Sequence, residues 1–261
     1  MKSKKDMKIK YFNEGFLLIK NLFNKKEILN VKKEINLVFY KYQKNYEDKS
    51  IIKLFEKDFE GFLGCAQICQ NLISVNNMST CNKIMSTLKK IGLKNPCINT
   101  RPLVSFSCKS TAKNESYWKI PAHQDWPSTQ GSANGITCWI PLVKINKKIG
   151  PLEISPKTHL LGLLNSIDNG VPILTEDQYQ YKPIRMNVGD ALFFSNFTIH
   201  KSGTNENLDK IRLSMHFRYD DFSEKSFISR KYPRHKIEKR KEGILFPNFP
   251  NKKEIKKVFK N

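Results

Sequence analysis

The segment Ile211-Arg-Leu-Ser-Met-His-Phe-Arg-Tyr219 alternates apolar and polar residues without a break. In an extended strand successive side chains point to opposite faces. Ile211, Leu213, Met215, Phe217 and Tyr219 therefore form one face, and Arg212, Ser214, His216 and Arg218 the other. The apolar face needs a hydrophobic partner layer, for which the N-terminal helices are the candidates. The polar face then turns into a barrel or cleft, where four inward polar groups are costly unless they serve a site.

The rest of the chain supplies both layers. Residues 1–99 read mostly as helix. Phe16-Leu-Leu-Ile19 is a short strand. Asn24 followed by Glu27 resembles a capping arrangement, opening a helix with the apolar stripe Ile28, Val31, Ile35, Val38, Phe39 and Tyr42. A second helical stretch covers roughly residues 54–93, with Leu54, Phe55, Phe62, Leu63, Ile68, Leu72, Ile84 and Leu88. From residue 100 short strands are broken by turn residues, at 101–108, 117–123, 135–142, 150–155, 183–186, 191–196 and 211–219. Such spacing predicts a sandwich or barrel rather than a parallel sheet. No internal repeat or linker divides the 261 residues, so a single domain is expected: helical packing elements over 1–99, a β core over 100–220 and a basic extension over 221–261.

The longest clean apolar runs, such as Phe16–Ile19 and Ala191–Phe194, are far too short for a membrane span, and no secretory signal opens the chain. A cytoplasmic, reducing location is the expectation. The six cysteines (Cys65, Cys69, Cys81, Cys97, Cys108, Cys138) form no CxxC pair and read as small packed hydrophobes. The formal net charge is +22, but residues 1–53 hold +8 of it and residues 222–261 hold +9, leaving +5 for the middle. Basic residues are 39 Lys against 7 Arg, alongside 24 Asn. That balance fits an AT-rich coding bias on solvated faces better than a nucleic-acid surface, which favours Arg. No nucleic-acid partner is expected.

Chemistry concentrates in two segments. In Pro121-Ala-His-Gln-Asp-Trp126, an extended strand would put His123 and Asp125 on one face and Gln124 on the other. In Ala191-Leu-Phe-Phe-Ser-Asn-Phe-Thr-Ile-His200 a strand leads to a second imidazole. Two His and one carboxylate with open positions is the ligand set of non-haem iron oxygenases. Gly189-Asp190 marks a tight turn before the second segment. An iron(II) centre that activates dioxygen needs a two-electron donor, and a 2-oxo acid that chelates the metal supplies it. If that acid is 2-oxoglutarate, its far carboxylate needs a fixed cation with a hydroxyl beside it. Arg212 and Ser214, on one face of the alternating strand, suit that end.

These runs, with Gly135-Ile-Thr-Cys-Trp-Ile-Pro-Leu142, Gly150-Pro-Leu-Glu-Ile-Ser-Pro-Lys-Thr-His159, Gly189-Asp-Ala-Leu-Phe-Phe194 and His200-Lys-Ser202, resemble the phytanoyl-CoA dioxygenase family. Phe12-Asn-Glu-Gly-Phe-Leu-Leu-Ile-Lys-Asn-Leu-Phe23 resembles that family's opening, and the likeness runs in order over roughly residues 11–220. It implies a mainly β fold with flanking helices, a double-stranded β-helix or jelly roll. It also implies Fe(II), 2-oxoglutarate and dioxygen as reaction partners, ascorbate as a reductant, and a small-molecule substrate. By resemblance His123, Asp125 and His200 match the iron ligands and Arg212 the arginine that binds 2-oxoglutarate, one residue further from the distal His than is usual. Ser202 and Trp139 fall where the family has further 2-oxoglutarate contacts. His159 matches a turn motif, and His216 and Arg218 remain pocket candidates, Arg218 also as the alternative 2-oxoglutarate arginine. Family members that halogenate lack the carboxylate, so Asp125 implies a hydroxylase acting on a C–H bond. The alternatives are a catalytically idle jelly-roll binding or structural protein and a basic nucleic-acid-binding protein. Trp126-Pro-Ser-Thr-Gln-Gly-Ser132, rich in hydroxyl and amide groups, is expected to be a solvated loop, with a polar pocket lining as the alternative.

Overall fold

The computed structural model describes residues 4–111, 119–164 and 179–233. The basic tail from residue 234 onward, and the start of the expected strand 117–123, lie outside the described residues.

The alternating segment becomes the longest strand, β9 (Arg212–Asp221), numbered in chain order. One edge of β9 pairs with β4 (Ile136–Pro141), which continues to β7 (Ala191–Ser195) and β1 (Phe16–Ile19). Its other edge is long enough for two short strands. β3 (Leu103–Ser107) faces Arg212–His216, and β2 (Pro96–Ile98) faces Tyr219–Asp221. A second sheet has the order β6 (Lys182–Ile184), β5 (Leu152–Ile154), β8 (His200–Ser202). Both are antiparallel, and together they form the expected jelly roll with helices outside. Between the sheets lie Phe16, Trp139, Ile145, Leu152, Ile154, Ile184, Met186, Leu192 and Phe194.

The outer face of the large sheet meets the helices, and alternation decides which residues go there. Cys138 and Ile140 of β4, Ala191 and Phe193 of β7, and Leu213, Met215, Phe217 and Tyr219 of β9 join one core with the helical side chains. Their strand neighbours Thr137, Trp139, Leu192, Phe194, Ser214, His216 and Arg218 therefore share the opposite, inner face. On the helical side α2 (Lys25–Gln43) begins at the Asn24–Glu27 capping box and buries Ile28, Val31, Ile35 and Phe39. Phe39 of α2, Phe62, and Phe106 of β3 contact one another edge-on or tilted, with centroids 5.4–6.3 Å apart, packing the helices onto the sheet. Each such fully buried aromatic or aliphatic side chain contributes about 1.5–3 kcal/mol.

Three expectations for the helical half need correcting. Helix α1 (Lys4–Glu14) precedes β1. The stretch 54–93 is several helices: α3 (Asp48–Lys57), α4 (Phe59–Asn71), α5 (Ile73–Thr80) and α6 (Asn82–Ile91). Asp58 separates the first two because its carboxylate caps Gly61 N at 2.9 Å, a stronger local bond than helix continuation offers. Tyr42, assigned to the buried stripe of α2, is 53% exposed and donates its hydroxyl to Asp58 instead. The six cysteines are all free, and Cys65, Cys69, Cys108 and Cys138 are buried as packing residues.

Candidate metal centre

The second sheet ends where the first histidine begins. His123 and His200 exchange both backbone hydrogen bonds at 3.0 Å, an isolated antiparallel bridge on the free edge of β8. This pairing sets the rings 4.1 Å apart between centroids. Each imidazole is then fixed by its own Nδ1. His123 Nδ1 lies 2.8 Å from Pro121 O, and His200 Nδ1 2.9 Å from Thr198 O. A carbonyl only accepts, so both Nδ1 atoms carry the proton and both Nε2 lone pairs are free. Burial, with the His123 ring beside it, pushes the His200 imidazole down to about 3, which keeps it neutral and ligand-competent.

Asp125 arrives by a different route from the one expected. Residues 119–122 are not strand, and Asp125 has φ −72° and ψ −27°, the helical region. It opens a one-turn helix, α7 (Trp126–Thr129), with Pro127 at its start, where a missing N–H is harmless. Strand alternation therefore does not place His123 and Asp125 together; a turn does. Trp126 N to Asn196 O, at 2.9 Å, ties this turn to the sheet. Gln124 turns away from the pair and is held by three bonds of its own. It donates to Gly162 O and Phe197 O and accepts from Leu164 N. The run 126–132 is not a solvated loop: Pro127, Thr129, Gly131 and Ser132 are buried. Ser132 and its neighbours fold inward because Asp220 accepts both Ser132 N and its hydroxyl.

One ligand atom from each of His123, Asp125 and His200 lies within 4.8 Å of the other two, a spacing a single ion can bridge. Burial alone would raise the Asp125 carboxyl, but Arg218 and the two imidazoles hold it well below the usual carboxylate range. Arg218 Nη2 donates to Oδ1 at 2.9 Å and Thr137 Oγ1 to Oδ2 at 2.7 Å. The donor set, one carboxylate and two imidazoles each anchored through Nδ1 to a backbone carbonyl, fits a divalent metal.

Arg212 lies at the far end of the same face of β9 and is 6% exposed. Nη1 donates to Gly150 O at 2.6 Å and Nη2 to Ser202 Oγ at 2.9 Å, leaving Nε buried and without a partner among the described residues. Gly150 itself has a φ of +69° and packs on the 203–205 backbone, where a Cβ would sit 2.4 Å from Gly203 O. Ser214 is not beside Arg212 in hydrogen-bonding terms, since its hydroxyl pairs with His216 Nε2 at 3.0 Å. Trp139 is buried on the inner face, 6.0 Å from the His216 ring. His159 binds Phe12 O and takes no part in the cluster. Thr137 and Asn196, both inside recognised motifs, were missed by sequence reasoning. The signal was available for Thr137, which shares the inner face of β4 with Trp139.

A family model for phytanoyl-CoA dioxygenase matches residues 11–214. A methylphosphonate hydroxylase of Gimesia maris is 36% identical over 124 residues, 47% of each chain, so the match spans about half the length of that relative. Among solved structures, the epimerase SnoN in complex with Fe3+, alpha ketoglutarate and nogalamycin RO has a TM-score of 0.61 at 15% identity, over 84% of this chain and 83% of that one. The non-heme alpha ketoglutarate dependent carbocyclase SnoK has a TM-score of 0.59 at 15% identity, covering 90% of this chain and 94% of that one. At these identities the structures show a shared fold.

Proposed function

Because the chain belongs to the phytanoyl-CoA dioxygenase family, we propose that it is an iron(II)- and 2-oxoglutarate-dependent dioxygenase that hydroxylates a C–H bond of a small metabolite. The observation that carries this is the cluster of His123, Asp125 and His200 with both imidazole Nε2 atoms free. Iron(II) bound there supplies dioxygen activation, coupled to oxidative decarboxylation of 2-oxoglutarate to succinate and carbon dioxide.

The chain's own residues do the rest. His123 and His200 present lone pairs held in place by backbone carbonyls, and Asp125 supplies one negative charge. Arg212 offers its unpaired Nε to the distal carboxylate of 2-oxoglutarate, with Ser202 holding the guanidinium from behind. The inner faces of both sheets, Trp139 among them, exclude water from the cosubstrate. A small alkylphosphonate is the first substrate to test, after the compound named for the Gimesia maris relative.

The test is succinate release by the full chain with Fe(II), 2-oxoglutarate and ascorbate, with and without methylphosphonate. His123→Ala, Asp125→Ala and His200→Ala should each abolish it. Arg212→Ala should raise the 2-oxoglutarate requirement about 10- to 150-fold, the worth of a charge-assisted hydrogen bond of roughly 1.5–3 kcal/mol. Full turnover in any of the three ligand variants would sink the proposal.

A further inference from the structure

Two side chains on Asp125 have no part in the reaction as proposed. Thr137 and Arg218 are directly opposed residues of β4 and β9 on the inner face, so they approach the carboxylate together. Arg218 takes Oδ1, the oxygen that also lies 3.7 Å from His123 Nε2, and Thr137 takes Oδ2.

A third residue stands behind them. Asn196 is fully buried, and its side-chain oxygen lies 3.0 Å from Thr137 Oγ1. A hydroxyl has one proton and cannot serve Asn196 and Asp125 at once. Meanwhile Asn196 Nδ2 is buried without a partner among the described residues. Turning the amide by 180° removes the conflict: Nδ2 donates to Thr137, whose proton then goes to Asp125.

We propose that Thr137 and Arg218 are positioning residues that clamp Asp125, one oxygen each, so that its carboxylate meets the metal through a single oxygen. Asn196 sets the direction of the Thr137 hydroxyl. A carboxylate free to rotate can chelate a cation with both oxygens and would fill a position that a chelating 2-oxo acid needs. The inference rests on the metal-site reading and adds to it the residues that hold Asp125 in place.

Cobalt(II), titrated into the full metal-free chain, reads affinity and, by its visible absorption, coordination, without turnover. Thr137→Val keeps the shape and removes the donor. It should weaken cobalt binding about 10- to 100-fold and alter the absorption, and Thr137→Ser should restore both. Asn196→Asp, which puts an acceptor where a donor is needed, should act in the same direction. Arg218→Gln removes a positive charge beside a cation, which by itself favours binding. Weaker binding in that variant therefore comes from lost positioning, and Arg218→Lys should recover part of it. Tighter binding in Arg218→Gln would overturn the role of Arg218. Unchanged affinity and absorption in Thr137→Val and Asn196→Asp would overturn the clamp while leaving the metal site standing. No cobalt binding by the unaltered chain would overturn the metal site itself, and the clamp with it.

Discussion

His216 shows how a single residue on the inner face ties the site to stability. Desolvation and the neighbouring Arg218 push its imidazole down to about 3, so the folded chain holds it neutral against Ser214. Below pH 6.5 the unfolded chain takes up a proton that the folded chain refuses. The stabilising contribution is therefore complete above about pH 6.5 and is lost as pH falls toward 3. The slope reaches at most about 1.4 kcal/mol per pH unit, where the unfolded ring is fully protonated, and averages about 1 kcal/mol between pH 6 and 5 because the unfolded ring is still partly neutral there. His216→Gln should flatten the acid side of the stability profile of the metal-free chain by that amount, measured by urea unfolding at pH 6 and 5. An unchanged slope would mean that the ring is charged in the fold. His216 and Arg218 were legible as inward-facing from alternation alone. The Arg218–Asp125 pair was not, because it joins residues 93 positions apart through a turn that strand logic does not describe.

Elements were legible in proportion to how local their causes are. The Asn24–Glu27 capping box and the period-2 pattern of β9 each lie within a few residues, and each formed where expected. The break between α3 and α4 has a local cause in the Asp58 cap, whereas α5 and α6 begin at Leu72 and Cys81 with no side-chain cap to mark them. The connection of β8 to β9 spans residues 203–211 and delivers Arg212 to the start of β9, within reach of Ser202. The turn into β7 is more exacting. Gly189 has a φ of +101°, and a Cβ would sit 2.6 Å from Phe23 O. Asp190 beside it accepts from Lys20 Nζ, Asn21 N and Asn187 N. Gly189→Ala should cost about 1–3 kcal/mol of stability, read as a lowered denaturant midpoint. An unaltered midpoint would show that the turn relaxes without loss.

At the scale of the whole molecule, metal binding and folding should be one equilibrium, because His123 and Asp125 reach His200 only when the turn at α7 is docked on the sheet. A divalent metal at 100 times its dissociation constant should then stabilise the chain by about 2.7 kcal/mol. The thermal midpoint should rise with cobalt in the unaltered chain and stay fixed in His200→Ala; an equal rise in both would place the ion elsewhere. Strand β9 carries a wider consequence. Its outer residues belong to the helical core and its inner residues to the chemistry, so inserting one residue between Arg212 and Arg218 would exchange the two sets and ruin both. Over evolutionary time the strand can lengthen or shorten internally only in compensated pairs. Heritable change in what this scaffold acts on is thereby channelled into its connecting loops, while the strand passes between lineages as an indivisible unit.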